Sequence, residues 1–255
     1  MLAHACRCRV LRHGRAVARR SDAVGADAVI GIVIPAHNEA ALLAGCLQAA
    51  LCAASHPGLA GERVEILVVL DSCTDGTAAI ANACGVATIA LDARNVGAAR
   101  AAGAHRLLEQ GARWLAFTDA DSRVSAQWLV DQLAQHADAV CGTVQVDDWS
   151  DHGELASALH AHFLQTYFDQ EGHSHIHGAN LGVSAEAYRR AGGFPPLACS
   201  EDVALVAALR SSGARIAWSC APRVTTSARR HARALGGFAD ALLAVVHIAR
   251  PTAAS

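Results

Sequence analysis

The residues of this chain best suited to chemistry are two carboxylates one residue apart, Asp119 and Asp121, which close the apolar run Leu115-Ala-Phe-Thr-Asp119-Ala-Asp121-Ser122. Carboxylates at i and i+2 in a turn can share one hard divalent cation, and Mg²⁺ is usually held by one or two carboxylates plus substrate phosphates. The pair therefore points to a metal-bound phosphorylated ligand. Asp is also common in turns, so an isolated Asp-x-Asp fits a solvated turn as well, and the flanking sequence has to supply the context. A second acidic pair, Glu201-Asp202, follows Ser200, which is expected to cap a helix burying Leu205, Val206 and Leu209 and ending before Gly213. In the first turn the helix dipole favours an ionised Asp202, while Glu201 beside it opposes joint ionisation.

Strands followed by helices must position these acids. The apolar run before Asp119 suits a central parallel strand buried on both faces, so the carboxylates emerge at its carboxyl end, where open α/β sheets bind ligands. Residues 29–34 read as the first buried strand, closed by Pro35, and Asn38 is expected to cap a helix through Leu43, Leu47 and Leu51. Between them Pro35-Ala-His37-Asn38-Glu39 forms a polar turn at the ligand edge. Residues 65–70 make the second strand, ending in Asp71-Ser-Cys-Thr-Asp75-Gly-Thr77, where Asp71 can accept a hydrogen bond from a base or ribose. Residues 86–91 make the third. After it, Arg94-Asn-Val-Gly97-Ala-Ala-Arg100 opens a helix whose small residues admit close backbone approach and whose two guanidiniums can reach a diphosphate. Ser125 is expected to cap a helix through Trp128, Leu129 and Leu133. Four strand-then-helix units predict an α/β, doubly wound, mostly parallel sheet with right-handed crossovers.

Composition sets the bounds. With 255 residues, 53% of them hydrophobic, and a formal net charge of −2, the chain can bury a large core and offers no general surface for nucleic acid. All 21 basic residues are Arg, which reads as a compositional bias, although Arg also suits bidentate phosphate contacts. The nine cysteines are odd in number, scattered, and without C-x-x-C spacing, which argues against a zinc ribbon or a disulfide framework and for a reducing cytoplasm. No run approaches the ~20 apolar residues of a transmembrane segment; residues 239–249 are the longest candidate and include His247. Residues 1–27 hold six arginines and no acid before Asp22, and are read as a disordered extension, with an organellar transit peptide as the other reading. Residues 28–150 then form the ligand-binding half and 151–250 the second half of one domain.

Taken together, these segments resemble the family 2 glycosyltransferases of the GT-A fold. The resemblance is carried in order by Pro35-Ala-His37-Asn38-Glu39, Asp71 to Thr77, Asn95 to Arg100, and Thr118-Asp119-Ala-Asp121-Ser122, then by Gly178-Ala-Asn180, Gly192-Gly-Phe194 and Glu201-Asp202. It covers roughly residues 29–240 and implies transfer of a sugar from a nucleoside diphosphate sugar to an acceptor hydroxyl. It also implies Mn²⁺ or Mg²⁺ bridging Asp121, with Asp119, to the diphosphate. A cation there would stabilise charge that develops as the diphosphate departs. By the same resemblance Asp202 is the general base, Pro35, His37 and Glu39 lie around base and ribose, Asp71 contacts the base, Arg100 lies near the donor, and Asn180 and Glu201 fall on the acceptor side.

The second half carries His160, His162, His173, His175 and His177 before Gly178. A His-x-His-x-His strand would set three imidazoles on one face, as a zinc site or, as the family's use of this region for acceptor recognition favours, as a polar pocket wall. The Gln-x-x-Arg-Trp motif of many polymer-making members is absent; Ser227-Ala-Arg229-Arg230-His231-Ala-Arg233 stands in its place. The expectation is therefore a non-processive transferase, and the resemblance implies an inverting one. By analogy with some GT-A enzymes His231 would complete the metal shell, and Arg229, Arg230 and Arg233 could hold the departing diphosphate or form a basic surface loop. The competing classes are a sugar-nucleotide nucleotidyltransferase, which normally has a Gly-rich, Arg-containing loop after its first strand, and a catalytically silent binding module of the same fold.

Overall fold

The computed structural model describes residues 29–229. Strand β1 (Val29–Ala36) alternates its side chains between two cores: Ile30, Ile32 and Ile34 face helix α1 (Leu43–Ala54) through Leu43 and Leu47, while Val33 faces the opposite layer. This is the period-two geometry of a strand covered on both sides. β2 (Arg63–Asp71), helix α2 (Thr77–Ala83), β3 (Ala87–Leu91), α3 (Val96–Glu109) and β4 (Ala112–Phe117) repeat the strand-then-helix unit. β1 pairs in parallel with β2 and β4, and β2 with β3, so the turns after β1, β2 and β4 open at one edge.

A two-residue strand, β5 (Arg123–Val124), and α4 (Trp128–Ala134) lead to β6 (Ala139–Gly142). Helix α5 (Ala156–Thr166) precedes β7 (Leu181–Ser184), α6 (Ala185–Arg190), α7 (Glu201–Ser211), β8 (Ile216–Ser219) and β9 (Val224–Thr225). The seven-stranded sheet runs β3-β2-β1-β4-β7-β6-β8, and β7 alone is antiparallel to its neighbours. Because β7 starts where β4 ends, with Leu181 beside Phe117, the turn Gly178–Asn180 stands at the ligand edge next to the carboxylates. β5 pairs with β9, which lays the following residues against the turn after β4. No helix among the described residues is long and apolar enough to cross a membrane.

In the first half of the chain, three local expectations differ from what is observed. Pro35 lies inside β1 instead of ending it, and this is tolerated because the β4 ladder stops at Val33, leaving Pro35 flanked by β2 alone. Asn38 does not cap α1; it sits at φ 55 and its Oδ1 accepts the Thr74 N–H at 2.8 Å, tying the turn after β1 to the turn after β2. Ser125 likewise gives α4 its carbonyl, which accepts the Trp128 N–H at 3.1 Å, and α4 has no side-chain cap.

Candidate active site

Beyond β4 the chain turns tightly over the sheet edge, with the Ser122 N–H donating to the Asp119 carbonyl at 3.0 Å. Arg100, 3% exposed, lies beneath this turn: its Nη2 donates to Asp119 Oδ1 at 2.5 Å and its Nη1 donates to Glu201. One guanidinium thus joins the acidic turn after β4 to the first turn of α7. Gly178 lies flat against the same guanidinium, since a Cβ there would fall 2.3 Å from Nη2. Its N–H donates to Asp202 Oδ2 at 2.7 Å. Asp119, Glu201 and Asp202, distant along the chain, are therefore neighbours. Ser200 is the residue before α7 as expected, but at φ 58 and with no side-chain cap.

Asp121 faces the other way, toward Arg229. Arg229 Nη2 lies 3.0 Å from Asp121 Oδ2, and its Nη1 donates to both oxygens of Glu39 at 2.7 and 2.8 Å. Burial pushes the Asp121 carboxyl up to about 6; Arg229 pulls it down, and Asp119 and Glu39 add to the rise. Burial alone would lower Arg229, yet Asp121 and Glu39 hold it above its ordinary value. Asp119, Asp121, Glu39 and Glu201 thus gather around two guanidiniums, Arg100 and Arg229, which is a setting that attracts cations. Mn²⁺ or Mg²⁺ fits this group: the donors are hard oxygens and a cationic side chain already sits against Asp121. Among the described residues no three His, Cys, Asp or Glu side chains are arranged to hold an ion by themselves. An ion on Asp121 and Asp119 would take its other ligands from phosphate and water. His231, with Arg230 and Arg233, lies outside the described residues.

On the donor side the turns are bound mostly to one another. His37 Nδ1 is 2.6 Å from the Asp71 carbonyl oxygen. The Asp71 carboxylate accepts the Ala93 and Arg94 N–H groups at 2.8 Å, the Asn95 N–H at 2.7 Å and the Ser72 hydroxyl at 3.1 Å. Burial works to raise its pKa, but these bonds outweigh it and hold the carboxyl below the usual range. Of about four acceptor positions on a carboxylate, one on Oδ2 is left by these contacts for a base. The close approach expected at Gly97 is made by the chain itself: a Cβ there would lie 2.2 Å from the Pro195 carbonyl oxygen, and the Gly97 N–H donates to the Leu197 carbonyl at 3.1 Å. The first turn of α3 is thus occupied by the loop before α7, and Arg100 spends its charge on Asp119 and Glu201.

Asn180 is fully buried and satisfied, donating to the Thr143 and Pro222 carbonyls at 2.7 and 2.9 Å and accepting from Trp128 Nε1 at 2.8 Å. The histidines of 173–177 lie in a loop rather than a strand, with rings spaced 5.5 and 5.9 Å along a column that Tyr167 joins by stacking on His175 at 4.1 Å. Tyr167 also bonds His177 Nε2 at 2.9 Å and accepts the Val144 N–H at 2.8 Å. Burial, aided by His175 and His173, pushes His177 down to about 4. This column ends beside Gly178 and hence beside Asp202. Sequence reasoning missed Tyr167, and also Thr226, whose Oγ1 accepts from Ser122 at 2.9 Å; neither lies in a recognisable motif.

Comparison with known proteins bears on the fold and the family. In solved structures the chain is similar to TarS of S. aureus, residues 1–349 in complex with UDP-GlcNAc, at TM-score 0.59 and 14% identity, covering 86% of this chain and 65% of that one. It is similar to the mannosyltransferase PcManGT of Pyrobaculum calidifontis with GDP-Man and Mn²⁺, at 0.57 and 18%, covering 80% and 58%. It is also similar to glucosyl-3-phosphoglycerate synthase of M. tuberculosis, at 0.52 and 18%, covering 84% and 75%. The chain thus spans less than two thirds of the length of the first two. No curated protein matches it by sequence. Residues 31–192, more than half of the chain, match glycosyl transferase family 2, and the fold is that of its GT-A neighbours; the chain belongs to glycosyl transferase family 2.

Proposed function

We propose that this chain transfers a sugar from a nucleoside diphosphate sugar to an acceptor hydroxyl, with inversion and one transfer per encounter. The reading rests above all on Arg100, whose single guanidinium bonds both Asp119 and Glu201 and so sets a cation-attracting turn beside Asp202. Asp121 and Asp119 would hold Mn²⁺ or Mg²⁺, which would supply positive charge to the departing diphosphate. The solved neighbours bound to UDP-GlcNAc and to GDP-Man with Mn²⁺ support this donor class.

The chain's own residues divide the remaining work. Asp202, oriented by the Gly178 N–H and at the amino end of α7, takes the proton of the acceptor hydroxyl as it attacks the anomeric carbon. Asp71 and His37 shape the base pocket, and the Tyr167–histidine column forms the acceptor wall. All seven cysteines among the described residues are unpaired, which fits a reducing, cytoplasmic setting. The test is Asp202→Asn. The variant is expected to bind a nucleoside diphosphate with metal as the native chain does and to lose transfer by about 100-fold or more, in the range of general-base catalysis. Undiminished transfer would remove Asp202 from that role, and release of pyrophosphate in place of nucleoside diphosphate would point to nucleotidyl transfer.

A further inference from the structure

We infer that Arg229 is a tethered counter-ion for the cation seat: it fills the seat in the empty protein and yields it when a divalent ion enters with a nucleoside diphosphate. The inference rests on the proposed reading of Asp121 as a metal ligand. Its own support is the way Arg229 is delivered and what it meets. The guanidinium bridges Asp121 and both oxygens of Glu39, whose side chains are 11% and 6% exposed. Asp119, close by, is held by Arg100, so Arg229 is the guanidinium that meets Asp121.

The segment bearing Arg229 is fixed up to the residue before it. β9 pairs with β5, and the Thr226 N–H donates to the Gln145 carbonyl at 2.8 Å. Ser122 donates to Thr226 Oγ1 at 2.9 Å, the Ala228 carbonyl lies 2.5 Å from His152 Nε2, and Ala228 is buried with Trp149 and Leu159. Only the Arg229 side chain must rotate to vacate the seat, and it stays within reach once it has. Exchanging a single charge for a double one neutralises the seat better, and the released guanidinium suits a diphosphate, which it can grip through two hydrogen bonds. Occupancy by Arg229 lowers the affinity of the empty protein for an ion by the fraction of time the seat is filled. Ion and nucleotide then favour each other's binding, because the nucleotide gives Arg229 somewhere else to go.

The experiment is a Mn²⁺ titration of the full chain without nucleotide, read by calorimetry, for the native protein, Arg229→Gln and Arg229→Lys, with melting curves in EDTA and in Mn²⁺. The Gln variant is expected to bind Mn²⁺ about tenfold tighter than the native chain. The Lys variant, which keeps the charge, should stay near the native value. In EDTA the Gln variant should melt lower than the native chain, and Mn²⁺ should restore most of the difference. Equal or weaker Mn²⁺ affinity in the Gln variant, with a melting loss that Mn²⁺ leaves in place, would overturn the inference and make Arg229 a strut. Failure of the underlying site reading shows separately: Asp121→Ala would then bind Mn²⁺ as well as the native chain in the presence of UDP or GDP.

Discussion

Arg100, Asp71 and Asp121 show how residue types visible in a sequence acquire roles that only the folded neighbours define. An Arg in the first turns of a helix reads as a phosphate ligand, but Arg100 is buried between Asp119 and Glu201 because α7 is laid beside α3. Removing it would leave two carboxylates uncompensated, which is the costly way to break a buried ion pair. Asp71, expected at a base, spends most of its capacity on the turn that begins α3. Of the acids expected to converge, Asp119 and Asp202 stand together with Glu201, while Asp121 is turned toward Arg229; the motifs made the acids legible, not which way each one faces. The site also carries a titrating group in its histidine column. His177 is neutral in the fold with its pKa pushed down to about 4 by burial, then by His175 and His173, against an ordinary value of 6.5. The unfolded chain therefore binds this proton first as pH falls below 6.5, and stability is lost progressively down to about 4. In His177→Gln, which keeps a partner for Tyr167, the stability lost between pH 7.5 and pH 5 should be smaller than in the native chain by about 1–2 kcal/mol in urea unfolding. An identical loss in both proteins would contradict this.

At the scale of elements, the strands were legible because fully buried parallel strands have to be apolar runs: β1 and β2 lie within two residues of their expected bounds, and β4 begins three residues before its expected start at Leu115. The turns were not. Asn38, Ser72, Arg94 and Ser200 all adopt positive φ, a conformation that costs non-glycine residues about 1 kcal/mol or more. Each stands in a turn at the ligand edge or just before α7, and the bonds that fix two of these turns run to another one: Asn38 receives from Thr74, and the Arg94 N–H donates to Asp71. No local sequence rule contains such partners. The same holds for the packing of α3 against the loop before α7, which gives Gly97 its purpose. Gly97→Ala would press a methyl into the Pro195 and Leu197 carbonyls, 2.2 and 2.7 Å from the added Cβ. It is expected to cost about 1–3 kcal/mol, the range for overpacking, read as a lower urea midpoint with an unchanged slope. A midpoint equal to the native one would mean that α3 does not hold that loop.

Across the whole molecule, one antiparallel strand decides the site. β7 enters between β4 and β6 and starts where β4 stops, so the second half of the chain returns Gly178 to the donor edge and, through Gly178, positions Asp202. The apolar periodicity of residues 181–184 gives no sign of direction, so this insertion could be had only from resemblance to a known family. The β5–β9 ribbon does the same for Arg229. As proposed, these converging segments make one donor site, metal-dependent through Asp121 and separable from Asp202, the proposed base. A ligand that binds only the folded state raises the melting temperature in proportion to its occupancy. The most direct measurement is therefore the thermal shift given by UDP- and GDP-sugars, with Mn²⁺ and with EDTA, in the native chain, Asp121→Ala and Asp202→Asn. A shift that needs Mn²⁺ is expected in the native and Asp202→Asn proteins and is expected to be absent in Asp121→Ala. An equal shift in EDTA, or an undiminished one in Asp121→Ala, would contradict the proposal.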